Sequence, residues 1–342
     1  MGKTYWMRNF CATSDDFSAV VQIDYEGIDT QAGFLTRTAE SLGREQRLPQ
    51  KARRFMSALF ENVESVGLGA VTIKPAVATL SPQRLLRDTV MAVGKPTDKP
   101  VLLCMDEVPV AIRNIALNEG ASPARELLQT LRALRHADDV TGIRWIVCGS
   151  VGFHHVLKLC QATEGEINDL VNLPLGPLSQ EDAEELAGRL FLGIERVPDA
   201  GAITVIVERT GGVPFLLHQV AWLLQVRGTG PVSGSEVAAA FDDFVDDRDE
   251  SRAVTHLVTR LDPYYGSDAQ LATRMLNAVA MKKTVPLPDL LEDAKAGERF
   301  NEVLNALIDD HYLIERGMSV SWRYDVLRRI WSRRHRLNVE HP

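Results

Sequence analysis

The sequence predicts an α/β fold, with a parallel sheet wrapped by helices, then a purely helical stretch, then a small segment of helices and a hairpin. Three observations predict it. Short apolar, β-branched runs alternate with helical stretches as far as about Leu175, the pattern of a sheet covered on both faces. Strand signals then stop until a hairpin pattern near the C-terminus. The composition, 342 residues with 45% apolar and 25% charged side chains, is that of a globular chain and excludes a disordered or collagenous one.

The expected strands are Ala19–Asp24, Pro100–Asp106 and Ile143–Cys148, each a short apolar run bounded by Gly, Pro, Asp or Lys. Between the first two, helices are expected near residues 31–42 and 49–66, then an extended piece at 69–74 and a helix from Ser81-Pro82 to about Val93. A second Ser-Pro pair, Ser122-Pro123, opens a helix to about Ala137, with serine as cap and proline in the first turn. Beyond Leu175, the capping box Ser179-Gln-Glu-Asp182 starts one helix and Gly211-Gly-Val-Pro214 separates two more. An acidic run over 242–250 precedes helices near 269–281, 287–295 and 299–310, two short strands around Gly317 and an arginine-rich last helix. That order is a winged-helix pattern. The expected domains are 1–175, 176–247 and 248–342.

Charge narrows the function classes. Lys and Arg number 38 against 46 Asp and Glu, a formal −8, so no general attraction to nucleic acid or anionic membrane is built in. Cys11, Cys104, Cys148 and Cys160 lie far apart and read as buried, reduced thiols, which points to the cytoplasm. No apolar run approaches the roughly 18 residues of a membrane span, and no signal-peptide pattern is present.

The chemistry concentrates in the first half. Gly2-Lys3-Thr4 is the second half of the phosphate-binding loop G-x-x-x-x-G-K-[ST], in which backbone N–H groups wrap phosphates, lysine neutralises their oxygens and the hydroxyl binds Mg²⁺. Alone the tripeptide is weak, arising by chance in on the order of one chain in ten of this length. A second signal strengthens it. The strand Val101–Asp106 ends in Asp106-Glu107, which sets a Mg²⁺-organising carboxylate and a water-polarising one at the carboxyl edge of a sheet. The next strand ends in Gly149-Ser150, placing a hydroxyl beside those carboxylates, where a γ-phosphate sensor belongs. Thr210-Gly-Gly-Val-Pro214 reads locally as a glycine C-cap followed by proline at the first position of the next helix. The eight histidines show no metal-ligand spacing, and His154-His155 reads as a loop pair, so no metal beyond Mg²⁺ is expected.

In this order, Gly-Lys-Thr, strand-Asp-Glu, strand-Gly-Ser, helical lid with Gly-Gly-x-Pro and winged helix, the chain resembles the archaeal-type ATPases of the STAND branch of AAA-like P-loop NTPases. The resemblance covers nearly the whole chain. Gln22-Ile-Asp-Tyr-Glu-Gly27, the helix ending Leu131-Arg-Ala-Leu-Arg135 and the closing Asp325-Val-Leu-Arg-Arg-Ile-Trp331 are also similar to that group. It implies a P-loop NTPase core, a helical lid and a C-terminal winged helix, with ATP and Mg²⁺ as cofactors. By position, Gly2 and Lys3 would bind phosphate, Thr4 and Asp106 the Mg²⁺, Glu107 would activate water, Ser150 would sense the γ-phosphate and Pro214 would touch the base. The implied activity is that of a Mg²⁺-dependent ATPase or nucleotide switch with slow hydrolysis. Arg135, Arg144 and Arg209 stand where an arginine finger would be sought, but each reads as a solvated or salt-bridged residue.

The loop's first glycine, its four variable residues and the strand that feeds it do not precede Gly2. A sheet lacking that central strand leaves backbone groups unpaired, at roughly 1–3 kcal/mol for each buried orphan. The simplest expectation is that Met1 is an internal methionine of a longer protein; the rival is a remnant that has lost nucleotide binding. A myristoylation reading of Met1-Gly2 fails because Trp6 replaces the required hydroxyl residue.

A DNA-binding or regulatory winged-helix protein without hydrolysis is the alternative class. Six arginines lie between Arg323 and Arg336, yet the helix that would enter the groove, Glu298–Asp310, carries four carboxylates against one arginine. A protein partner or self-association, including docking of the basic helix on the acidic run at 242–250, is therefore expected ahead of nucleic acid.

Overall fold

A computed structural model describes residues 2–48, 50, 52, 54, 63–66, 70–73, 82–94, 98–173, 175–246, 261–295 and 297–337. Lys3–Leu173 forms one compact unit and the remaining residues another. Among the described residues, no helix is long and apolar enough to cross a membrane.

The first unit runs α1 (Lys3–Thr13), β1 (Ala19–Asp24), α2 (Gln31–Arg44), β2 (Val63–Val66), β3 (Ala70–Ile73), α3 (Pro82–Val93), β4 (Val101–Asp106), α4 (Val108–Asn118), α5 (Ala121–Arg135), β5 (Ile143–Val147) and α6 (Phe153–Leu159). Its sheet has the order β1-β4-β5 and is parallel, with Asp24 opposite Asp106 and Met105 opposite Val147. The middle strand is buried along its whole length, which explains why it is apolar without alternation. Side chains of alternate parity divide between the two faces. Val21, Ile23, Leu103, Met105 and Trp145 pack with the helices α2 to α6, whereas Val20, Leu102, Cys104, Ile146 and Cys148 face Met7 and Cys11 of α1. At the end of β1 the chain turns through Tyr25, whose buried ring stacks on Phe34 at 4.0 Å and whose hydroxyl meets Thr38 at 2.7 Å.

Two local expectations change. The helix expected over 49–66 lies mostly outside the described residues, but Val63–Val66 is a strand paired antiparallel with Ala70–Ile73. Ser122 is not a cap: α5 starts at Ala121 from Gly120, whose φ of +104° suits a residue without Cβ, and the Ser122 hydroxyl lies inside the first turn. The expected Ser81 cap is outside the described residues.

The second unit runs α7 (Gln180–Gly193), β6 (Arg196–Pro198), α8 (Ala200–Thr210), α9 (Pro214–Arg227), β7 (Gly230–Val232), α10 (Gly234–Asp246), α11 (Leu261–Tyr265), α12 (Ala269–Lys282), β8 (Thr284–Pro286), α13 (Leu287–Asp293), α14 (Phe300–Asp309), β9 (Leu313–Arg316), β10 (Ser319–Trp322) and α15 (Asp325–Arg334). Ser179 caps α7 as its box predicts, accepting from the Asp182 N–H at 3.1 Å. The hairpin of β9 and β10 gains a third strand, β8, that the sequence pattern did not suggest. One continuous apolar core joins the helices α7 to α10 with α12, α14 and α15. Arg196 ties the β6–β7 corner together from inside. Its guanidinium donates to the carbonyls of Leu224, Gly228, Gly230 and Pro231 and to Glu236, all at 2.8–3.1 Å. The carbonyls at the end of α9 and in the following loop thus find their donors in one side chain.

Candidate functional site

The site lies at the carboxyl ends of β4 and β5, where α1 begins. Gly2, with φ of +89°, leads into α1. Lys3 and Thr4 occupy its first turn. The Lys3 ammonium donates to the carbonyl of Gly149, and the Thr4 hydroxyl donates to Asp106 Oδ2 at 2.7 Å. Residues about a hundred and a hundred and fifty positions apart in sequence therefore meet. Asp106 is 5% exposed, and its other oxygen, Oδ1, accepts from the Glu107 N–H and the Cys148 thiol, each at 3.0 Å.

Glu107 is held in the left-handed region, φ 58° and ψ 26°, at the point where β4 gives way to α4. A non-glycine residue there is costly and persists only when its surroundings fix it. They do so through Ser150, whose N–H and hydroxyl both bond Glu107 Oε2 at 2.9 Å. Gly149 makes this approach possible, since a Cβ at that position would lie 2.6 Å from Pro109 Cδ.

Lys3, Thr4, Asp106, Glu107 and Ser150 are thus brought together. Pro214 belongs to the other unit, where it is the first residue of α9, after Gly211 in the left-handed region as the C-cap of α8. The arginine-finger positions are occupied otherwise. Arg135 grips Asp169 with two bonds at 2.6 and 2.8 Å, Arg144 donates to the carbonyls of Thr141 and Ile143, and Arg209 lies 3.6 Å from Asp242. His154 and His155 sit in the first turn of α6, where a loop pair was expected.

Two participants were missed in the sequence: the Gly149 carbonyl and the Cys148 thiol. Only the strand register of the folded chain brings them to the site. With Met105 opposite Val147, the next residues along, Asp106 and Cys148, are neighbours at the sheet edge. Burial, and then the bond to Asp106, push the Cys148 thiol well above its ordinary range, so it stays protonated and donates. A hydroxyl and a carboxylate are hard oxygen ligands suited to Mg²⁺, an ammonium is a cationic partner for phosphate, and their convergence fits a metal-bound phosphate group.

Solved structures were compared with the chain. The Walker-type ATPase PABY2304 of Pyrococcus abyssi is similar over 96% of this chain and 87% of that one, with a TM-score of 0.61 and 17% identity. The Holliday junction branch migration motor RuvB of Thermotoga maritima aligns over 98% of this chain and 93% of its own at 12% identity, with a TM-score of only 0.35. At such identities the first likeness speaks for fold alone, and the chain shares the fold of that Walker-type ATPase. No family profile matches the chain, and no curated protein matches it.

Proposed function

We propose that the chain is a nucleotide-binding P-loop protein of the STAND type, an ATPase or ATP-dependent switch, with core, helical lid and winged helix over 1–175, 176–247 and 248–342. The observation that carries this is the 2.7 Å contact of Thr4 with Asp106, flanked by Lys3 on Gly149 and Glu107 on Ser150. Lys3 and the N–H groups at the start of α1 would bind the β- and γ-phosphates. Thr4 and Asp106 would hold Mg²⁺, which supplies charge neutralisation on the phosphate oxygens. Glu107 would accept the proton of the attacking water through Oε1, since both bonds from Ser150 fall on Oε2. Ser150 would read the γ-phosphate, and Pro214 would pack on the base.

The full phosphate-binding motif is G-x-x-x-x-G-K-[ST], fed by a strand. Among the described residues β5 is an edge strand and is half-exposed, and Lys3 reaches Gly149 just past its carboxyl end. A strand running parallel to β5 and entering α1 through G-x-x-x-x would satisfy both the open edge and the loop. The test is to compare the chain as given with one extended by such a segment. Extension should create or strengthen ATP binding, Lys3→Ala should abolish it, and Glu107→Gln should stop hydrolysis while leaving binding intact. Unchanged nucleotide binding in Lys3→Ala would falsify the assignment.

The DNA-binding alternative is weakened by where the arginines of α15 go. Arg329 and Arg333 pair with Asp242 and Asp246 of α10 at 2.9 and 2.8 Å, and Arg328 is buried against Asp325 and the Ala280 carbonyl. The basic helix is engaged within its own unit.

A further inference from the structure

We infer that Cys148 is a positioning residue for the metal-binding carboxylate, a thiol clamp that fixes the plane in which the Asp106 carboxylate meets Thr4. The inference rests on the Mg²⁺ site proposed above. A carboxylate on a strand end can rotate about its last torsion, and only one setting of its plane aims an oxygen at the Thr4 hydroxyl while the other oxygen faces back toward β5. Here Oδ1 is held from two sides: the Glu107 N–H and the Cys148 Sγ each lie at 3.0 Å. The first donor is backbone and comes with the strand-to-helix turn itself. The second is a side chain, and its own position is fixed by packing against Met7 of α1, whose Sδ lies 3.9 Å from Cys148 Sγ. Met7 and Cys148 belong to the apolar layer formed with Cys11, Val20, Leu102 and Cys104. The clamp therefore links the helix that carries Lys3 and Thr4 to the carboxylate that faces them. A thiol suits the role because it is a donor that fits an apolar layer, where a hydroxyl would be more costly to bury. Groups that orient a metal ligand from behind govern affinity for the metal with little effect on binding of the rest of the ligand.

The test uses the full chain and its Cys148→Ala and Cys148→Ser variants. ADP affinity is measured by calorimetry with Mg²⁺ and with chelator. Cys148→Ala should reduce the Mg²⁺-dependent gain in affinity about tenfold, leave affinity in chelator unchanged and leave the melting temperature of the ligand-free protein within a few degrees. Cys148→Ser, which keeps a donor, should restore most of the gain. An unchanged gain in Cys148→Ala, or an equal loss with and without Mg²⁺, overturns the clamp. A second readout needs no nucleotide, and so separates failure of the clamp from failure of the functional reading. The infrared S–H stretch of Cys148, assigned by its loss in Cys148→Ala, should shift toward the free-thiol position in Asp106→Asn, because a carboxylate is the stronger acceptor, and should stay put in Arg135→Ala. If the wild-type chain binds no ADP, that band alone decides: a shift supports the clamp, and a band indifferent to Asp106→Asn rejects it.

Discussion

Glu107 and Gly149 show how one residue's backbone decides another's chemistry. Glu107 tolerates a left-handed conformation because Ser150 holds its carboxylate, and Ser150 is within reach because Gly149 lets the chain pass Pro109. Gly149→Ala should therefore destabilise the protein by about 1–3 kcal/mol through overpacking, as read by denaturant unfolding. It should also shift Ser150 away from Glu107, which amide chemical shifts of both residues would report. Unchanged shifts in that variant would show that Gly149 does not govern the approach of Ser150 to Glu107.

At the scale of elements, single side chains fasten loops to helices. Arg196, 4% exposed, supplies donors to four carbonyls and Glu236 around the β6–β7 corner. Its replacement by alanine leaves those carbonyls without their donor and should cost about 3 kcal/mol in urea unfolding; a loss under 1 kcal/mol, about the worth of a surface pair, would mean that water satisfies the corner. Arg135 does similar work between α5 and the loop at Asp169. Its hydrogen bond, more than its bare charge, holds the Asp169 carboxyl below the ordinary carboxylate range despite partial burial. A carboxyl depressed in the folded state contributes stability that is present above its unfolded value of about 3.9 and is lost as pH falls through the folded value. Asp169→Asn should accordingly flatten the acid limb of the stability curve below pH 4 or so, where the wild type is losing this contribution, and should show its largest deficit near neutrality. Equal deficits at neutral and strongly acidic pH would assign the effect to packing.

The whole molecule consists of two compact units, with residues 171–173 and 175–177 exposed and outside any helix or strand at their boundary. Exposed irregular backbone between two cores is where proteases cut. Limited proteolysis should yield one fragment ending near residue 170 and another starting near 178, both resistant to further cleavage. Cleavage that begins inside β4 or α9 would contradict the two-core division. The net charge of −8 and the engagement of Arg329 and Arg333 also predict that the full chain gives no gel shift with duplex DNA at low ionic strength.

The sequence by itself determined what depends on local pattern and order. The three parallel strands, the helices near 31–42, 82–93 and 122–135, the Ser179 cap and the Gly211–Pro214 break follow from periodicity and capping chemistry, because these are decided within a few residues. The order of Gly-Lys-Thr, Asp-Glu and Gly-Ser also named Lys3, Thr4, Asp106, Glu107 and Ser150 as candidates. Tertiary structure decided the rest. Serine and glycine both cap helices, so only the path of the chain chose Gly120 over Ser122, and the strand at 63–66 needed its partner at 70–73 to exist at all. The contact of Thr4 with Asp106 and the thiol behind that carboxylate are products of strand register and of the packing of α1 on the sheet. Such contacts depend on where distant segments come to rest, and spacing along a chain carries no record of that.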